Sequence, residues 1–137
     1  VNLEDMLIRH EGLRLKPYHC TAGKLTIGIG RNIEDIGISE DEAMVLLEND
    51  IERCKNELAQ FHFYGSIGEA REAALIDMLF NIGLTRFRTF EKMLHALDRY
   101  DFETAAKEMK DSRWYHQVGT RSRRLVEMMR SNEWPDK

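Results

Sequence analysis

The chain has 137 residues, of which 42% are hydrophobic and 32% charged, and its formal net charge is -4. It is too apolar for an intrinsically disordered chain and too interrupted by charge for a membrane span. With only Cys20 and Cys54, it has no disulfide framework, and its length suits one good core, built as one domain or as two small lobes sharing a helix.

Leu3, Met6 and Leu7 recur at helical spacing and predict an amphipathic helix that ends at Glu11, with Gly12 as its positive-φ cap. Glu4, Asp5, Arg9 and Glu11 interrupt this segment with charge, so it lacks the make-up of a signal peptide. Glu11 faces the negative end of the helix macrodipole, a placement that favours the acid over the carboxylate. Pro17 and Gly23 punctuate the chain beyond Gly12. Leu25, Ile27 and Ile29 then alternate with Thr26, Gly28 and Gly30 in the two-residue period of a strand. On such a strand Gly28 and Gly30 share a face and leave bare backbone for a flat ligand.

The stretch from Arg31 to Ser39 is turn-like. Ser39 and Glu42 form a capping box, and Ala43, Leu47, Ile51, Cys54 and Leu58 mark a long amphipathic helix from about Glu40 to Gln60. Cys54 lies on its apolar stripe, as a buried inert thiol. Ser66 with Glu69 suggests a second capping box, and the helix through Ala73, Leu75, Met78, Leu79 and Phe80 is apolar almost all round, the mark of a buried centre. Gly83 should stop it. Thr89 can cap a helix carrying Phe90, Met93, Leu94 and Leu97, and Asp101 one carrying Phe102, Ala105, Ala106 and Met109. Short helices around Trp114 and from Arg121 to Met129 complete the chain, with core packing the favoured place for Trp114.

No metal site or cofactor is expected, because the two cysteines and five histidines are scattered. Gly28-Ile-Gly30 lacks the third glycine and the directly following helix of a dinucleotide loop. From Lys107 onward basic residues exceed acidic ones. That charge suits an anionic polymer, or is an ordinary solvated helix face; a nucleic-acid partner is not expected.

Glu11, eight residues, Cys20, five residues, Thr26 and then Ile-Gly-Ile-Gly resembles the signature of the T4-type phage lysozymes, glycoside hydrolase family 24. The stretches Glu72 to Gly83 and Ser112 to Gln117, with Arg121 after them, are similar to helices of the same family, so the likeness runs over nearly the whole chain. It implies an α+β lysozyme-like fold, with a small reduced β-sheet lobe joined by a long helix to a mainly helical lobe. Residues 1–137 would form a single domain, with approximate lobes 12–38 for the sheet, 39–60 for the linking helix, and 1–11 with 61–137 for the helical lobe. Relative to the family, the segment between the glycine strand and the linking helix is abbreviated, which should lower one wall of the cleft.

The resemblance also implies the chemistry. Glu11 would protonate the β-1,4 linkage between N-acetylmuramic acid and N-acetylglucosamine in bacterial peptidoglycan, with Cys20 and Thr26 positioning the attacking water and the anomeric configuration inverted. A thiol of ordinary pKa is mostly neutral at pH 7, hence a weak base, so a covalent role for Cys20 is the lesser alternative. Substrate contacts carried over by position are Gly30, Asn32, Phe80, Asn81, Met93 and Glu108. Arg121 matches an arginine that touches the catalytic glutamate, and Arg31, where the family often has His, would pair with Asp50. A lytic transglycosylase acting on the same bond and a non-catalytic wall-binding module stay open as alternatives. The enzyme is expected to be a monomer without stable membrane association, gathering in the host bacterial cytoplasm and reaching the periplasm or wall after membrane permeabilisation.

Overall fold

The computed structural model describes residues 2–135. Its elements run α1 (Leu3–Glu11), β1 (Arg14–His19), β2 (Leu25–Gly28), β3 (Arg31–Asn32), α2 (Glu40–Leu58), α3 (Glu69–Phe87), α4 (Glu91–Asp98), α5 (Phe102–Lys110), α6 (Arg113–Val118) and α7 (Thr120–Ser131). This mainly helical chain with one small antiparallel sheet is of the α+β class. It divides into two compact units, Val1–Leu46 and Leu47–Lys137, the boundary falling within α2.

In the first unit α1 starts on Asn2, whose side-chain oxygen accepts from the Asp5 amide at 2.9 Å, and stops where Gly12 takes φ 77 and donates its N–H to Ile8 O. The sheet order is β1-β2-β3, antiparallel throughout, with Tyr18 opposite Thr26 and Thr26 opposite Asn32. Strand β1 is not evident from sequence because Pro17 lies inside it. Proline is tolerated there because β1 is an edge strand and the register shifts between Arg14 and Tyr18, where no ladder bond from residue 17 is needed.

The glycines also depart from expectation. Gly28 and Gly30 have φ of 72 and 70, a left-handed backbone that ends the strand at Gly28 and turns the chain back into β3. Gly28 is the last residue of β2 and Gly30 lies in the turn after it, so the two do not share a strand face. Among the described residues of this unit Thr26 alone is buried, so hydrogen bonding organises much of it. The capping box forms as expected: Ser39 N donates to Glu42 Oε1 at 2.8 Å and Glu42 N to Ser39 Oγ at 3.1 Å.

The second unit holds the apolar core, including Leu58, Phe63, Leu75, Met78, Leu79, Phe87, Met93, Leu97, Met109, Trp114 and Met129. Cys54 is buried among them, and burial raises its thiol pKa, as an inert core cysteine requires. Gly83 (φ 81, ψ 163) interrupts α3. Asp101 caps α5 by accepting from the Thr104 amide at 3.1 Å and hydroxyl at 2.6 Å.

The two other expected caps are not made. Gly68 holds the N-cap place of α3, while the Ser66 hydroxyl donates to Phe63 O at 2.8 Å and meets the Tyr100 hydroxyl. Thr89 turns its hydroxyl back to Arg86 O at 2.5 Å, leaving Phe90 at the start of α4. A nearer carbonyl outcompetes the helix amide in both cases. The end of α7 is capped from outside: Arg71 donates to Met129 O at 2.7 Å and Arg130 O at 3.0 Å, and its guanidinium lies 3.7 Å from the Phe102 ring centroid. Among the described residues no helix is long and apolar enough to cross a membrane.

Candidate active site

Glu11, Cys20 and Thr26 all belong to the first unit. Cys20 stands in the β1–β2 hairpin, where its N–H donates to Lys24 O at 2.9 Å and its carbonyl accepts from Gly23 N at 2.8 Å. The backbone amides of Lys24 and Ala22, both within this tight turn, act on the sulfur. Those amides, Lys24 foremost, hold the half-buried thiol below its ordinary pKa, and partial desolvation opposes them. The hairpin thus lowers the pKa of this thiol from its ordinary value.

Thr26 is only 3% exposed. Its hydroxyl donates to Lys24 O at 2.8 Å. A threonine has one proton to give, so this bond takes it and leaves the oxygen lone pairs as acceptors.

Glu11, the last residue of α1, is exposed. Its carboxyl lies directly against Gly30. A Cβ at Gly30 would stand 2.7 Å from Glu11 Oε2 and 2.9 Å from Cδ. The turn that ends β2 thus brings bare backbone to the carboxyl, a proximity across 19 positions that spacing alone does not reveal.

Arg31 also departs from expectation. Its guanidinium makes a bidentate pair with Glu42, at 2.9 and 2.7 Å, and donates to Gly37 O at 3.1 Å. Asp50, expected as its partner, pairs with Arg53 one turn along α2 at 2.7 Å. The physical reason is proximity: Glu42 is already held at the start of α2 by Ser39, so its two oxygens face the chain leaving β3. With Arg31 first and the Ser39 amide second, the Glu42 carboxyl is lowered to about 2. Sequence reading missed this second task of Glu42, although Ser39-x-x-Glu42 gave its place. Asn32, a carried-over substrate contact, exchanges two hydrogen bonds with Asp35, at 3.0 and 3.1 Å.

The remaining candidates lie in the second unit. Phe80 is 43% exposed and lines a groove of about 460 Å³ with Leu47, Ile76, Asp77, Arg121 and Trp134. Arg121 is engaged by Asp77 at 2.6 Å. Asn81 accepts the indole N–H of the buried Trp114 at 3.0 Å, which ties that ring into the core. Glu108 borders a cavity of about 490 Å³ with Phe90, Ser112 and Trp114. Met93 contributes to the same wall but has no exposed surface, so its side chain is core. Among the described residues no group of three His, Cys, Asp or Glu side chains could hold a metal ion.

Known proteins resemble this chain over the same span. The family model described as phage lysozyme matches residues 8–133. A probable T4-type lysozyme of Dictyostelium discoideum is 29% identical, over 93% of each chain. An endolysin of Acyrthosiphon pisum secondary endosymbiont phage 1 is 34% identical over 75% of this chain and 71% of its own. The pre-baseplate central spike protein of Enterobacteria phage T4 is 31% identical over 92% of this chain, which spans 27% of that protein. With its helix-hairpin-helix order and its small sheet ahead of a helical core, the chain belongs to the phage lysozyme family, with that family's lysozyme-like fold, and is a glycoside hydrolase whose substrate is peptidoglycan.

Proposed function

We propose that this lysozyme cleaves the β-1,4 bond between N-acetylmuramic acid and N-acetylglucosamine with Glu11 as general acid and Cys20 and Thr26 as the water site, inverting the anomeric configuration. The Glu11 proton passes to the glycosidic oxygen as the C1–O bond breaks. A water oxygen bonds to C1 from the opposite face, and its proton goes to the Cys20 sulfur. Solvent then restores both side chains.

The observation that carries this reading is the division of labour between Thr26 and Cys20. Thr26, buried and with its proton committed to Lys24 O, offers only lone pairs, so it accepts a hydrogen bond from water. Cys20, whose pKa the Lys24 and Ala22 amides lower, is the other anchor and is assigned the proton that this water loses. Phe80 and Glu108 remain proposed substrate contacts. Asn32 and Asn81 are retained as minor ones, Gly30 is read as part of the seat of Glu11 rather than as a substrate contact, and Met93 is set aside because no surface of it is exposed. We read the protein as a monomer of 16.1 kDa that collects in the host cytoplasm and meets the wall after a membrane lesion.

Clearing of isolated bacterial walls by wild type and by Glu11→Gln tests the acid. The variant keeps the shape but has no proton to give, so clearing should stop; unchanged clearing would remove Glu11 from the mechanism. The lowered pKa of Cys20 also favours a second reading, in which sulfur attacks C1 and water later displaces it. NMR of the first-formed product separates the two: inversion gives the α-anomer, double displacement the β-anomer. Anhydro-muramic ends in place of reducing ends would assign the chain to transglycosylation.

A further inference from the structure

We infer that Gly30 is the positioning residue of the acid: its bare Cα is the surface against which the Glu11 carboxyl is set, so a single methyl group there displaces the acid without unfolding the protein. The inference rests on Glu11 being the general acid and concerns what holds it in place.

Two properties coincide at Gly30. Its φ of 70 is a conformation L side chains rarely adopt, and the place a Cβ would occupy is 2.7 Å from Glu11 Oε2, 2.9 Å from Cδ and 3.1 Å from Cγ. Ordinary van der Waals contact begins at 3.4 Å, so an alanine methyl would drive the carboxyl back by roughly 0.7 Å. The atoms in the way are the far end of an exposed side chain at a helix terminus, which can swing aside at small cost. The protein therefore yields by moving its acid. Gly30 accordingly serves two purposes: it permits the turn from β2 to β3, and it leaves room for the carboxyl at the angle the turn dictates.

Gly37 separates the two. Its φ is also 70, it lies in the same unit, and a Cβ there would meet nothing within 4 Å. Gly37→Ala therefore imposes the left-handed strain alone, and Gly30→Ala imposes the same strain plus the displaced carboxyl. Thermal melts and steady-state kinetics on solubilised peptidoglycan are compared for wild type, G30A and G37A. G30A should melt within a few degrees of G37A. Its kcat should fall about 100-fold, as displacement on this scale does for a reacting group, with KM nearly unchanged, whereas G37A stays within a few-fold of wild type.

Equal kinetics for G30A and G37A would overturn the inference. A G30A melt far below that of G37A would do so too, since the carboxyl would then be immovable. Glu11→Gln keeps the two questions apart. If that variant retains full turnover, the acid assignment itself fails. If it is inactive while G30A behaves like G37A, only the positioning role of Gly30 is lost.

Discussion

Replacing Thr26 with valine removes one hydroxyl and keeps the shape and β-branching that suit strand β2, so its consequences can be worked out atom by atom. On the stability side, the lost bond is the 2.8 Å donation to Lys24 O. That carbonyl also accepts the Cys20 N–H at 2.9 Å, so it is left half satisfied. The cost should fall at the low end of the range for a lost buried hydrogen bond, about 1 kcal/mol. For a chain of this size that is a fall in Tm of roughly 3–6 °C. On the activity side, the water loses an acceptor fixed by burial and retains only the Cys20 sulfur. Losing one of two such anchors should lower kcat about 100-fold, equivalent to about 2.7 kcal/mol in the barrier. Thr26→Ser is the companion variant, because it retains the hydroxyl and should remain within about tenfold of wild type. The assay is initial release of reducing ends from peptidoglycan, with thermal melts on the same samples. A Thr26→Val enzyme with wild-type kcat, or a serine variant as impaired as the valine, would refute the water-anchoring argument.

The geometry sets three further outcomes. The Glu42 carboxyl is lowered from 4.5 to about 2 by Arg31 and Ser39, so its contribution to stability is complete above pH 4.5 and fades as pH falls toward 2; Arg31→Met should shift that loss to higher pH, seen by following Tm against pH. Cys20 should react with iodoacetamide along a pH curve whose midpoint lies below the ordinary thiol value of about 8.5, whereas buried Cys54 should label only in denaturant; equal labelling of the two would contradict the hairpin-amide argument. Met93→Ala should cost about 2–5 kcal/mol, as a fully buried methionine does, while a substrate contact would instead raise KM with little change in Tm.

What could be known from the residues alone was whatever neighbouring residues decide among themselves. Glu11 closing a helix before Gly12, Ser39 and Glu42 capping the next, Asp101 capping α5 and Gly83 interrupting α3 are each settled within a few residues, because helical periodicity, caps and positive-φ stops are local hydrogen-bonding choices. The spacing from Glu11 to Cys20 and Thr26 likewise carried the family resemblance on its own.

Tertiary structure alone decided the matters in which groups far apart compete. Pro17 hid β1 because its tolerance depends on lying at a sheet edge, and the alternating run through Gly30 became a strand and a turn once Gly28 went left-handed. Ser66 and Thr89 had the chemistry of caps but found nearer carbonyls, and Arg31 found a carboxylate already fixed by a cap. The lowered pKa of Cys20 comes from amides of a closed hairpin, and the seat of Glu11 comes from a turn 19 residues away. Periodicity records which face of an element is apolar, but a hydrogen bond goes to whichever partner the folded chain brings closest, and that distance exists only after the chain has closed on itself.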